Sequence, residues 1–312
     1  MNIISVKKLT KSYKENHVLR GVSFEIEKGT VYALLGSNGA GKTTIINILA
    51  TLLSADSGTV SVAGHDTRTD AKNVRRHISL TGQYSAIDDL LSGEENMHMM
   101  GRLNRMDSRA IRTRTTELLD KLDLASAAKK RVSTYSGGMQ RKLDLAISLL
   151  SSPSIIFLDE PTTGLDPRSR QELWRMIKEL ARGGTTILLT TQYLDEADNL
   201  ADRIAVLNNG KIVAKGTASE LKQRISGEHA ELTFGTATDC TRASKSVTDS
   251  VIDENNPCLL SVPLTNHLTD LQMLLDTLVR IKIEPVNINI RKPTLDDVFM
   301  QLTGRSDEQE TK

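Results

Sequence analysis

The rhythm of hydrophobic positions changes several times along this chain. Near the N-terminus, apolar and polar residues alternate. Ile3 to Leu9 is a candidate strand, and Val22-Ser23-Phe24-Glu25-Ile26 turns every second side chain to one face. Val31-Tyr32-Ala33-Leu34-Leu35 and Ile155-Ile156-Phe157-Leu158 are unbroken apolar runs, which suits strands covered on both faces. Thr186 to Leu189 is a further buried strand, while Thr59 to Val62 and Ile78 to Thr81 are short ones. Thr43 to Leu53 carries apolar residues at helical spacing. From about Asp88 to Leu150 helical spacing takes over, as in Ile111, Leu118, Leu119 and Leu122 after the possible cap Ser108. This stretch reads as a helical subdomain inserted in a sheet domain. Arg168 to Arg182 is a helix, with Asp166 as its N-cap, Pro167 as its first residue and Gly183-Gly184 as its stop. Asn209-Gly210 between Ile204–Leu207 and Lys211–Ala214 predicts a hairpin. The alternation predicts an α/β fold whose mixed sheet holds parallel strands and antiparallel pieces.

A boundary is expected near Gln223 to His229. Beyond it come a strand (Ala230 to Phe234), a polar Thr/Ser stretch, a strand around Leu259 to Val262, and a helix with Leu268, Leu271, Leu275 and Leu278 on one face. A strand, Val286 to Ile290, and a short helix from Thr294 follow. The expected organisation is a main domain over residues 1–226, its helical part at about 88–150, a small α+β appendage over 227–304, and a charged, disordered tail over 305–312.

Composition narrows the function classes. A net charge of +1 implies no bulk attraction to nucleic acid or anionic lipid, and four Phe, five Tyr and one Trp offer no platform for stacking bases. No apolar run approaches the ~20 residues that span a bilayer, and no N-terminal segment reads as a signal peptide. Cys240 and Cys258 lack metal-type spacing and read as bland thiols of a reducing compartment.

The chemistry concentrates at Gly36-Ser37-Asn38-Gly39-Ala40-Gly41-Lys42-Thr43-Thr44, which fits G-x-x-x-x-G-K-[ST]. A predicted strand feeds this turn and a predicted helix leaves it. The turn therefore aims backbone N–H groups at one spot, where the helix dipole adds positive charge. The glycines let the backbone approach phosphates, Lys42 suits the β- and γ-phosphates, and the Thr43 hydroxyl suits Mg²⁺. Asp159-Glu160 closes the apolar run Ile155–Leu158. With its strand beside the loop, Asp159 can hold Mg²⁺ through water and Glu160 can take a proton from an attacking water.

Two further features complete a pattern. Tyr135-Ser136-Gly137-Gly138-Met139-Gln140 opens a helix, and Gly164-Leu165-Asp166 follows the acid pair. Over about residues 3 to 226 the chain resembles the ATP-binding subunits of ABC transporters: phosphate loop, Gln loop, Ser-Gly-Gly signature, Asp-Glu strand and Asp loop, in that order. The resemblance implies an ATPase of the phosphate-loop fold using ATP and Mg²⁺. It implies that Tyr13 stacks on adenine and that Gln83 reaches Mg²⁺ or the attacking water where a membrane subunit docks. It implies that Ser136, Gly137 and Gly138 bind the γ-phosphate of a second subunit's ATP. Asp166 corresponds to the Asp-loop residue, but its capping role is sufficient reason for it. Two cassettes, expected to be identical, would sandwich two ATPs head to tail.

Three positions depart from the pattern. Tyr135 stands where Leu is usual and Met139 where Gln is usual, and Gln192, in Thr190-Thr191-Gln192-Tyr193-Leu194-Asp195-Glu196-Ala197-Asp198, stands where most members have His. A Gln amide can donate to a γ-phosphate but cannot relay a proton, so slower or less pH-sensitive hydrolysis is expected. That run, and Lys292-Pro293-Thr294-Leu295-Asp296-Asp297-Val298-Phe299, are similar to those of bacterial daunorubicin/doxorubicin-resistance-type exporter ATPases. In that family the multi-span membrane subunit is a separate chain, so the resemblance implies a peripheral location on the cytoplasmic face of the membrane. Cargo stays open among drug, antibiotic and lipid. A soluble ABC ATPase, or a nucleotide-dependent regulatory switch without transport, remains the alternative.

Overall fold

A computed structural model describes residues 1–82, 87–223, 228–253, 256–264, 267–292 and 294–300. Gln83, residues 224–227 of the expected boundary, and the tail at 305–312 lie outside the described residues. The chain divides into two compact units, Met1–Ala218 and Ser219–Lys312.

The first unit opens with the antiparallel pair β1 (Asn2–Tyr13) and β2 (Asn16–Glu27). Ile4 and Val6 of β1 and Val22, Phe24 and Ile26 of β2 are all buried, which is the alternation expressed as one covered face. Then come β3 (Val31–Leu35), buried at every position, and helix α1 (Lys42–Leu49). Strands β4 (Ser57–Val62) and β5 (His65–Asp66) extend the first pair. Helix α2 (Ala71–His77) leads into β6 (Ile78–Thr81).

The helical subdomain holds α3 (Gly93–Leu103), α4 (Ser108–Lys121) and α5 (Gly137–Leu149). Ser92 and Glu95 close a capping box on α3. The cap of α4 is Asp107, whose carboxylate accepts from the Arg109 and Ala110 amides; Ser108 is the first helical residue and not the cap. The unit finishes with β7 (Ile155–Asp159), α6 (Pro167–Arg182), β8 (Thr186–Thr191), α7 (Leu194–Leu200), β9 (Arg203–Asn208) and β10 (Lys211–Gly216). Asp166 caps α6, Pro167 starts it and Gly183 ends it, as the sequence predicts.

Among the described residues, the first unit forms a four-stranded sheet, β2-β1-β4-β5, and a six-stranded sheet, β10-β9-β3-β8-β7-β6. The larger sheet is parallel from β9 to β6, and β10 returns antiparallel through the Asn209-Gly210 turn. Strand β7 is not the neighbour of β3: β8 pairs with both, so one strand stands between the phosphate loop and the acid pair. Helix α1 lies within the shared core. Its Ile45, Ile46, Ile48 and Leu49 pack in one cluster with Ile4, Phe24 and Val62 of one sheet and Leu34, Phe157 and Leu207 of the other. That double burial fixes α1 between the two sheets.

The second unit begins within helix α8 (Ala218–Gln223). It contains β11 (Glu228–Thr233), α9 (Ala237–Ser246), β12 (Val251–Ile252), β13 (Leu259–Leu264), α10 (His267–Ile281) and β14 (Asn287–Arg291). Its strands form the sheet β12-β13-β11-β14, with a separate core of Leu232, Phe234, Leu260, Leu264, Leu274 and Leu278 among others. The polar Thr/Ser stretch is helix α9, capped by Thr236 and buried through Cys240 and Ala243. The core-facing residues of α10 also differ from the expected face. Leu274 and Leu278 are buried and Leu271 packs beside them, while Leu268 is 83% exposed. Several Leu spacings in this helix are equally helical, and only the partner surface decides between them. No helix among the described residues is long and apolar enough to cross a membrane.

Candidate functional site

The phosphate loop connects β3 to α1 and is held by its backbone. The Gly36 N–H donates to Thr191 O at 3.2 Å, tying the loop's first residue to the end of β8. A Cβ at Gly36 would lie 2.4 Å from Leu207 O, so only glycine lets the loop leave between β8 and β9. Gly41 caps α1 at φ 106°, and a Cβ there would meet Leu19 Cδ2 at 2.7 Å. Ser37, Asn38 and Gly39 are exposed, whereas Gly36, Ala40, Gly41 and Lys42 are buried. No side chain caps α1 and no acid stands in its first turn. Its amides and dipole are therefore left for an anionic ligand.

Lys42 folds back over the loop. Its Nζ donates to Gly36 O at 2.8 Å and Ser37 O at 3.1 Å, and lies 3.3 Å from Glu160 Oε1. This ion pair reaches across the strand between β3 and β7, so loop and acid pair meet although their strands do not. Thr43 is exposed and Thr44 half-buried at the start of α1.

Asp159 ends β7 and is buried; Thr190 Oγ1, on β8, donates to its Oδ1. Glu160 follows at φ 50°, a left-handed conformation uncommon outside glycine. Its N–H donates to both Thr190 O and Thr190 Oγ1 at 3.1 Å, and Thr163 Oγ1 donates to its Oε2 at 3.4 Å. Such a backbone at the site, fastened on several sides, is what pre-organisation of a carboxylate requires. Thr43, Asp159 and the phosphates of a bound nucleotide would offer oxygen donors only, which is the donor chemistry that suits Mg²⁺. Among the described residues no group of three or more His, Cys, Asp and Glu could hold a metal. The ion would therefore rely on the nucleotide for ligands.

The other sequence-predicted residues lie on neighbouring elements. Tyr13 ends β1, half-exposed, with Lys11 Nζ 5.7 Å from its ring centroid. Lys11 pairs with Leu19, the residue packed against Gly41, so the end of β1 lies beside the loop. Val18 touches both the loop and the β9–β10 turn. Its carbonyl would lie 3.2 Å from a Cβ at Gly41 and 2.3 Å from one at Gly210. Gln192 follows β8 and is half-buried.

Ser136 caps α5, accepting from Met139 N at 3.3 Å, and Gly137 and Gly138 form its first turn. Gly138 packs against α6, where a Cβ would meet Ser169 Oγ at 2.6 Å. Asp166 accepts from the Ser169 hydroxyl and the Arg168 and Ser169 amides, and these bonds, the hydroxyl first, hold its carboxyl below the usual range. Among the described residues no hydrogen bond or ion pair joins Ser136–Gly138 to the phosphate loop. Tyr135, the departure from Leu, is buried, and its hydroxyl donates to Ala127 O at 2.7 Å.

Sequence reasoning missed the groups around the acid pair. Arg141 of α5 donates to the carbonyls of Glu160, Pro161 and Gly82. Asp144, also buried on α5, lies 3.5 Å from Arg141, and burial raises its carboxyl to about 6 against the pull of that arginine. Glu196 of α7 is buried, accepts from Trp174 Nε1 at 3.2 Å, and is raised by burial. The available signal was a lone acid within the apolar run Leu143–Ile147, which demands a partner.

The ABC transporter family profile matches residues 19–163. The chain is 45% identical over 303 residues to the daunorubicin resistance ATP-binding protein DrrA3 of Streptomyces coeruleorubidus, covering 96% of this chain and 96% of that one. It is 33% identical to the Nod factor export ATP-binding protein I of Rhizobium meliloti, over 97% of this chain and 88% of that one. Among solved structures it resembles the dimeric ATP-binding cassette MJ0796, in a post-hydrolysis state bound to ADP and phosphate. The TM-score is 0.62 at 27% identity, over 69% of this chain and 98% of that chain.

Proposed function

The chain belongs to the ATP-binding proteins of ABC transporters and is an ATPase, and from that premise we propose that it powers an exporter through a separate, multi-span membrane subunit. Its relatives are resistance and export proteins by name, which supports efflux of a drug, antibiotic or lipid-like molecule. The single observation that carries the mechanism is the approach of Lys42 to Glu160 across the site.

ATP binds with its phosphates in the cradle of Gly36 to Thr44 and its adenine against Tyr13. Lys42 exchanges its loop carbonyls for β- and γ-phosphate oxygens. Water attacks the γ-phosphorus, the bond to the ADP oxygen breaks, and the water's proton passes to Glu160. Mg²⁺, held by Thr43 and Asp159 with Gln83, would neutralise phosphate charge. Gln192 donates to the γ-phosphate without relaying a proton. A second copy supplies Ser136, Gly137 and Gly138 to the same γ-phosphate, so ATP joins two cassettes and hydrolysis loosens them. The pair works at the cytoplasmic face of the membrane, attached through the membrane subunit.

The test measures hydrolysis and gel filtration in ATP and Mg²⁺ for wild type and Glu160→Gln. Wild type is expected to turn over. Glu160→Gln is expected to lose hydrolysis and run as an ATP-dependent dimer. Wild-type turnover by Glu160→Gln would sink the general-base assignment, and a monomer in ATP would sink the sandwich.

A further inference from the structure

Arg141 stands three residues after Gly138, on the helix that presents Ser136 and the two glycines. Its guanidinium donates from three nitrogens to three backbone carbonyls: Nε to Pro161 O at 2.8 Å, Nη2 to Glu160 O at 3.0 Å and Nη1 to Gly82 O at 3.3 Å. Asp144 faces it from the next turn at 3.5 Å. The Glu160 and Pro161 carbonyls lie just past the end of β7, where the parallel ladder no longer supplies donors. Glu160 is also at φ 50°, so its backbone keeps that shape only if neighbours hold it. Thr190 holds its N–H, and its carbonyl accepts from Arg141 at 3.0 Å and, more weakly, from the Thr163 N–H of the same turn at 3.3 Å, so Arg141 is the donor that comes from another helix. Only arginine has a planar fork able to serve carbonyls in several directions from one half-buried position; lysine offers a single point charge.

We infer that Arg141 is a positioning residue that fixes the Glu160 backbone and makes its orientation depend on helix α5. This rests on Glu160 being the general base. A shift of α5, whose N-terminal residues would grip a second copy's ATP, would then reach Glu160 of its own site through one side chain. The two sites of a pair would be coupled by this guanidinium rather than by the nucleotides alone.

Steady-state hydrolysis by the full chain tests the inference, with wild type, Arg141→Lys and Glu160→Gln compared at saturating Mg²⁺, and gel filtration in ATP compares Glu160→Gln with the double variant. For Arg141→Lys, kcat is expected to fall at least about tenfold while KM for ATP stays within about threefold, with the melting temperature little changed. In the Glu160→Gln background, where hydrolysis is lost, the same change is expected to leave the ATP-dependent dimer on gel filtration intact, because it acts through the base and not through nucleotide binding. Wild-type turnover by Arg141→Lys overturns the inference, as do a parallel loss of ATP affinity and loss of the ATP-dependent dimer in the double variant. Arg141→Met is made alongside; if both variants fail to fold, Arg141 is a folding residue and the inference falls. An active Glu160→Gln would remove the base assignment and this inference together, whereas an Arg141→Lys with wild-type turnover beside a dead Glu160→Gln removes the inference alone.

Discussion

Asp144 shows what a single residue can cost its own fold. It sits among Leu143, Leu145, Ala146 and Ile147, all buried, and burial raises its carboxyl from 3.8 to about 6 despite Arg141. Below the unfolded value both states are protonated. As pH rises, the unfolded chain releases its proton first, so stability falls between pH ~4 and ~6 and stays lower above. A rise of that size corresponds to roughly 3 kcal/mol. Asp144→Asn is therefore expected to be the more stable protein at pH 8, by up to about that amount, with the difference closing near pH 4. Urea denaturation at the two pH values checks this, and coincident curves at pH 8 would mean that Arg141 fully compensates the buried charge. Retaining a destabilising acid is understandable if it keeps Arg141 over the Glu160 carbonyl. At this scale the phosphate loop was legible because its residues act within their own turn. Arg141 was not, because two of its acceptors lie 19 and 59 positions away along the chain.

Elements follow the same division between local and distant causes. Helix α6 was readable to the residue because its cap, its proline and its terminating glycine all act locally. Helix α9 was hidden because polar residues dominate it, and its burial of Cys240 and Ala243 against a sheet, with the Thr236 cap, keeps it helical. The crossing of α3 and α4 depends on Gly101, where a Cβ would lie 2.6 Å from Ile111 Cγ1 and 2.9 Å from its Cδ1. Gly101→Val is expected to lower stability by about 1–3 kcal/mol through overpacking. The urea midpoint measures it, and adding Ile111→Ala should recover part of the loss. A Gly101→Val protein as stable as wild type would show that the two helices can separate freely.

For the whole molecule, the strand order was the least readable feature, since nothing in Ile155–Leu158 or Thr186–Leu189 says which run pairs with β3. The second unit has its own sheet and its own buried cluster. Residues 219–312 expressed alone are expected to unfold cooperatively on heating, followed by circular dichroism; a gradual melt would show that this unit needs the first. In the first unit, the Val18 carbonyl is wedged between Gly41 and Gly210, and the Arg20 N–H donates to Gly210 O at 2.9 Å. Gly210 also lies at φ 72°. A genetic screen for lost ATP hydrolysis should therefore return residue 210 beside the phosphate-loop alleles. Its phenotype would mimic an active-site lesion, and side-chain changes at position 18 should not suppress it, because the clash is with the backbone of residues 18 and 19, although residue 210 is assigned no contact with nucleotide.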